Sequence, residues 1–216
     1  MGMDSNELRA KLRLYYIADG ETRQMSPLVR LQVLLDAGCR AVQLRMKSPY
    51  TAHQILPLAR DFSALCKQYG ALFLVNDSLE IALASDASGV HLGQGDLSVA
   101  KARSLVSPSF IIGASAKTGE LARRAEEWGA DYIGSGAAFA TRTKQDAAVI
   151  GAEGIRAVAE ACSLPCVAIG GITHQNIPLL DSIGIAGVAV SYMLTHAENP
   201  RDRAEQMFTA MAGWRF

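Results

Sequence analysis

Eight times along this chain a short apolar run ends in a polar or glycine-bearing turn and gives way to an amphipathic stretch of helical period. The runs are LYYIAD from Leu14, AVQLRM from Ala41, LFLVN from Leu72, GVHLG from Gly89, FIIGAS from Phe110, YIGSGA from Tyr132, CVAIG from Cys166 and GVAVS from Gly187. Helix signals separate them: Ser26 and Pro27 open SPLVRLQVLLDAG and Gly38 closes it, while Thr118 opens TGELARRAEEWGA and Gly129 closes it. Near-continuous apolar strands between helices imply a parallel sheet. Eight such units in 216 residues predict a closed (β/α)8 barrel, one domain over residues 1–216 with residues 1–13 a polar N-terminal extension. An open doubly wound sheet is the alternative. It would want a glycine-rich dinucleotide turn after the first strand, and IADGETRQMS has no GxGxxG.

Charge narrows the partners. The 21 basic and 21 acidic residues cancel, and no long run of either sign suggests a nucleic-acid track or a polybasic membrane surface. Small molecules are the expected partners. Cys39, Cys66, Cys162 and Cys166 sit in apolar stretches without CxxC or Cys/His ligand spacing, which reads as reduced, buried thiols. The polar start MGMDSNELRAKLR lacks the apolar core of a signal peptide, and no apolar stretch is long enough to span a bilayer. A soluble, cytoplasmic protein is expected.

A barrel gathers its chemistry where strands end and βα loops begin. Strand two ends in Gln43, Arg45 and Lys47, which alternation turns toward the barrel axis, while Leu44 and Met46 face the helices. Strand three ends in Asn76 and Asp77, and GQGD after strand four brings Asp96 to the neighbouring mouth. Two carboxylates so placed could hold Mg²⁺ through oxygen ligands and bridge it to phosphates. Each could equally cap the helix that follows, SLEIALA or LSVAKAR.

Strand five ends at Ser115, and strand six runs into AFATRTKQD, residues 138–146, whose hydroxyls and cations suit an oxyanion if they are more than a solvated turn. Strand seven ends in Gly170 and Gly171 ahead of ITHQNIP, read as a helix whose N-terminal amides would be free for a phosphate, and strand eight finishes at Ser191. Arg45, Lys47 and Lys144 bring three positive charges, and a metal would add two more. That collection suits a diphosphate near Asp77 and Asp96, with a separate monophosphate at Thr141, Thr143, Gly171 and Ser191. None of the histidines is assigned to catalysis. His91, on a strand, reads as a satisfied structural residue, and His53, His174 and His196 lie on helix-like surfaces.

The stretches QLRMK (43–47), LVNDSLEIALASDASGVHLGQGDL (74–97), IGASAKT (112–118), ADYIGSGAAFATRTKQD (130–146) and AIGGIT (168–173) resemble the thiamin phosphate synthase family over nearly the whole chain. The resemblance implies a Mg²⁺-dependent transferase of thiamin biosynthesis that joins hydroxymethylpyrimidine diphosphate to thiazole phosphate and releases pyrophosphate, and it suggests a homo-oligomer. By motif, Gln43, Arg45, Lys47, Asn76, Ser115 and Lys144 fall on the pyrimidine diphosphate site, with Arg45, Lys47, Lys144 and Ser115 expected to act in catalysis. Asp77 and Asp96 fall on the metal ligands. Thr141, Thr143, Gly171, Val190 and Ser191 fall on the thiazole phosphate site.

Three departures stand out. SAKT puts Lys117 where the family usually has histidine, GAAFAT lacks two prolines of the usual sixth loop, and GVAVSYML reaches its serine one residue early. A tautomerase of the same fold, or a non-catalytic phosphate-binding paralogue, are the other readings. The full set of diphosphate and metal positions favours the synthase.

Overall fold

The computed structural model describes residues 3–20, 24–47, 49–141 and 148–214. Eight parallel strands close on themselves in sequence order, with β1 paired to β2 on one side and to β8 on the other. They are β1 (Leu14–Ala18), β2 (Ala41–Leu44), β3 (Leu72–Asn76), β4 (Gly89–Leu92), β5 (Ile111–Ser115), β6 (Tyr132–Gly136), β7 (Cys166–Ile169) and β8 (Gly187–Val190). Each falls within an apolar run read from the sequence. The helices are α1 (Ser5–Lys11), α2 (Pro27–Asp36), α3 (Ala52–Gln68), α4 (Leu79–Ala84), α5 (Val99–Arg103), α6 (Gly119–Glu127), α7 (Gly151–Ala159), α8 (Tyr192–Thr195) and α9 (Pro200–Ala210). Ser26 and Thr118 cap α2 and α6 by accepting from the amides of Val29 and Leu121, as their positions suggested.

Period-two alternation divides the apolar residues into two cores. Outward-facing Phe73, Val90, Ile133 and Val188 meet Leu34, Phe62 and Ile155 of the helices. Inward-facing Tyr15, Ile17, Leu74, Tyr132 and Val167 fill the barrel, and Leu8 and Leu12 join them from below. The N-terminal segment is therefore more than a polar extension. Asp4 accepts from the Asn6 amide at 2.6 Å to start α1, whose Leu8, with Leu12 just beyond it, covers the N-terminal end of the barrel. Two leucines four residues apart are one helical stripe, too short a signal to stand out among charged neighbours.

The segment ITHQNIP departs from the sequence reading. Thr173 and Asn176 each bind the other's amide through their side chains, at 2.8 and 3.2 Å, and the Asn176 amide group donates to the Gly171 carbonyl at 2.8 Å. Such side-chain bonds compete with helical ones. Only a short 3-10 turn follows, Ile177–Leu180. Among the described residues no helix is long and apolar enough to cross a membrane, and the four cysteines are free thiols, with Cys39, Cys66 and Cys166 buried and Cys162 partly so.

Candidate active site

At the C-terminal ends of the strands the barrel opens into a cavity of about 930 Å³. Gln43, Arg45, Lys47, Asn76, Asp77, Asp96, Ser115, Thr141, Gly171, Val190 and Ser191 all line it, so the sequence-predicted set converges in space. Thr143 and Lys144, and Arg142 between Thr141 and Thr143, lie outside the described residues. The β1–β2 ladder continues past the strand, because the Arg45 amide donates to the Ala18 carbonyl at 2.7 Å. That keeps the alternation running, with Gln43, Arg45 and Lys47 inward and Leu44 and Met46 against the outer core. Val190 belongs to the outer core by its side chain, which leaves its main chain to face the cavity.

Neither aspartate is a helix cap. Ser78 caps α4 and Ser98 caps α5, accepting from the amides of Ile81 and Lys101. Asp77 sits at φ 65°, in the left-handed region that costs a side-chain-bearing residue, with its amide held by the His91 carbonyl at 2.8 Å. Asp96 accepts from the Gly93 amide at 2.7 Å. The two carboxyl groups meet. Partial desolvation, and then the hydrogen bond and charge of Asp96, push the Asp77 carboxyl up to about 6, against the pull of Lys47 and Arg45. Arg45 is lowered by its own burial, which the charge of Asp77 opposes. Among the described residues no cluster of three or more His, Cys, Asp or Glu forms. Two carboxylates with room for water and phosphate oxygens beside them are a donor set for a hard cation such as Mg²⁺.

On the opposite side, Gly170 and Gly171 take φ of 99° and 65° and press against the loop after β6. A side chain at Gly171 would put its Cβ 2.4 Å from the Ala140 carbonyl oxygen. The Phe139 amide donates to the Gly170 carbonyl at 3.0 Å, so the sixth and seventh loops are joined along their backbones beside Thr141.

A family model described as thiamine monophosphate synthase matches residues 14–194. This chain belongs to the thiamine monophosphate synthase family. It is 40% identical over 201 residues to the thiamine-phosphate synthase of Pyrococcus furiosus, spanning 93% of this chain and 95% of that protein. Against the thiamine-phosphate synthase of Chlorobium luteolum the identity is 43% over 199 residues, with 92% of each chain covered. The solved thiamine phosphate pyrophosphorylase of Pyrococcus furiosus superposes with a TM-score of 0.86 at 36% identity, covering 95% of this chain and 98% of that one. A 3-hexulose-6-phosphate synthase structure, 14% identical with a TM-score of 0.67, shares the fold alone.

Within this thiamine monophosphate synthase barrel the floor of the cavity holds residues that motif reading passed over. Tyr15, Ile17, His91, Gly134, Val167 and Ile169 all face it. His91 is satisfied, as read from the sequence, with Nδ1 2.9 Å from the Tyr132 hydroxyl and Nε2 3.0 Å from the Ser115 hydroxyl. It is also part of the cavity wall. Burial pulls its imidazole down to about 4, with the charge of Asp96 acting the other way. The alternation used for β2, applied to GVHLG, would have turned His91 inward, because Val90 and Leu92 belong to the outer core. Lys117 is exposed on the cavity wall.

Proposed function

We propose that this protein is a thiamin phosphate synthase, a transferase that joins hydroxymethylpyrimidine diphosphate to thiazole phosphate and releases pyrophosphate, with Mg²⁺ as its metal. The observation that carries the reading is the meeting of Asp77 and Asp96 beside Arg45 and Lys47 at one end of the cavity. Asp77 and Asp96 would hold the metal, which when bound neutralises charge on the diphosphate. Arg45 and Lys47 bind the same group, and Lys144 is expected to join them. Gln43 and Asn76 orient the pyrimidine half, and Ser115 faces the diphosphate that leaves it. Thr141, Gly171, the main chain of Val190, Ser191 and, by expectation, Thr143 take the thiazole phosphate.

The chemistry asks for charge and position. As the bond from the pyrimidine methylene to the diphosphate oxygen breaks, its electron pair leaves with the pyrophosphate and the ring's amino group stabilises the carbon left behind. Cations fixed around the leaving group stabilise that charge as it grows. The thiazole nitrogen then attacks. It carries no proton, so no general base is required, and apolar Ile17, Val167, Ile169 and Ala189 line the cavity against competing water. A tautomerase would need a side chain that takes and returns a proton, and both nitrogens of His91 are engaged.

Incubating the protein with both substrates and Mg²⁺ should yield thiamin phosphate and pyrophosphate in equal amounts. Isomerisation of a thiazole substrate alone, or binding without turnover, would overturn the reading.

A further inference from the structure

Along the cavity floor, five side chains from five strands form one hydrogen-bonded line across the barrel. Gln43 Nε2 lies 2.7 Å from the Tyr15 hydroxyl, which is 2.9 Å from the Tyr132 hydroxyl. Tyr132 is 2.9 Å from His91 Nδ1, and His91 Nε2 is 3.0 Å from the Ser115 hydroxyl. Two glycines make space for it. A Cβ at Gly113 would sit 2.2–2.4 Å from Cζ, Cε1 and the hydroxyl oxygen of Tyr132, and one at Gly134 would sit 3.0 Å from His91 Cε1.

Counting protons gives the line a direction. An amide nitrogen can only donate, so Tyr15 accepts from Gln43. The Tyr15 proton then has the Tyr132 oxygen as its partner, and the Tyr132 proton has His91 Nδ1. Reversing either phenol would leave a buried donor unpaired, at the full cost of its desolvation. An imidazole that accepts at Nδ1 and is neutral carries its proton on Nε2, which must donate to Ser115. Gln94 occupies the Ser115 carbonyl at 2.6 Å, and no described residue accepts the Ser115 hydroxyl proton. With Nε2 donating, that proton is left for the cavity that Ser115 lines.

We propose that His91 is a positioning residue: the line from Gln43 through Tyr15 and Tyr132 fixes its proton on Nε2 and so makes the Ser115 hydroxyl an obligate donor toward the bound substrate. The inference rests on the function proposed above for what the donor meets. There, a hydroxyl donating toward the departing diphosphate gains strength as negative charge develops, whereas one that accepts would oppose it.

The tautomer is read first, by long-range ¹H–¹⁵N correlation on the ligand-free protein at neutral pH. A Nε2–H imidazole is expected; a Nδ1–H imidazole in an active protein would overturn the line and leave the function standing. Absence of turnover in the unsubstituted protein would overturn the function and leave the tautomer readable. Kinetics follow. Tyr132→Phe frees Nδ1 and should lower kcat by about tenfold or more with KM nearly unchanged, and adding Ser115→Ala should cost little further. Tyr15→Phe cuts the line between Gln43 and Tyr132 and should weaken the Nε2–H preference and lower kcat, by less than Tyr132→Phe does; an unchanged tautomer would limit the line to Tyr132. Independent, additive losses from Tyr132→Phe and Ser115→Ala would show that Tyr132 does not act through Ser115.

Discussion

Asp77 and Asp96 bring two carboxyl groups into hydrogen-bonding reach at the mouths of β3 and β4, while serines do the capping of both following helices. The pair costs stability in the absence of a cation. Folded Asp77 titrates near 6 against an ordinary 3.8, so its ionised form opposes folding at neutral pH, and the cost fades as pH falls through 6 toward 3.8. Metal-free Asp77→Asn should therefore melt higher than the unsubstituted protein at pH 7.5, by on the order of 1 kcal/mol once solvent screening of an open site is allowed for, and the gap should close by about pH 4. Mg²⁺ should raise the melting temperature of the unsubstituted protein and leave the variant unmoved. Thermal denaturation with and without Mg²⁺ at both pH values checks this; a full Mg²⁺ response in Asp77→Asn would remove it as a ligand.

The inward glycines of β5 and β6 should separate stability from turnover. Gly113→Ala drives a methyl group into the Tyr132 ring, which is fully buried, and should cost about 1–3 kcal/mol of stability. Gly134→Ala meets only the edge of the His91 imidazole at 3.0 Å and should lower kcat more than it lowers the denaturant midpoint. Equal effects of the two on both measurements would mean that the floor has no preferred arrangement.

Around the mouth, different groups should fail in different ways. On the proposed function Thr141 and Thr143 serve a phosphate that does not react, so Thr141→Ala and Thr143→Ala should raise KM for thiazole phosphate with kcat nearly kept. On the same reading Lys144→Ala takes away a positive charge expected at the leaving group and should lower kcat by about tenfold to thousandfold. Arg142→Ala and Lys117→Ala should stay within about twofold of the unsubstituted protein. Steady-state kinetics with each substrate varied in turn distinguish these outcomes, and Arg142→Ala as the most damaging to kcat would reverse the assignment of the loop.

Leu12 is fully buried where α1 meets the barrel interior. Leu12→Ala should cost about 2–5 kcal/mol in chemical denaturation while leaving both KM values in place. A rise in KM would tie the bottom of the barrel to the site at its top.

The barrel was legible because β/α alternation writes itself as apolar runs, and one rule, period two, turned Gln43, Arg45 and Lys47 to the axis correctly. Asp77 and Asp96 were legible as a pair but not as ligands or caps, since a serine one or two residues along each chain segment offers the same capping chemistry. ITHQNIP carries a helix-like pattern, yet Thr173 and Asn176 turn their side chains back on the backbone. The line from Gln43 to Ser115 left no motif. It is assembled from five strands that are far apart in sequence and become neighbours only when the barrel closes.

Because Leu8 and Leu12 shut the N-terminal end, the described barrel behaves as a well rather than a tunnel. A well has one opening: on the proposed function both substrates enter, and the joined product leaves, between the loops that end in Asp96, Gly171 and Ser191. Traffic in both directions is thus confined to the loops of the mouth, and the closed end serves stability alone.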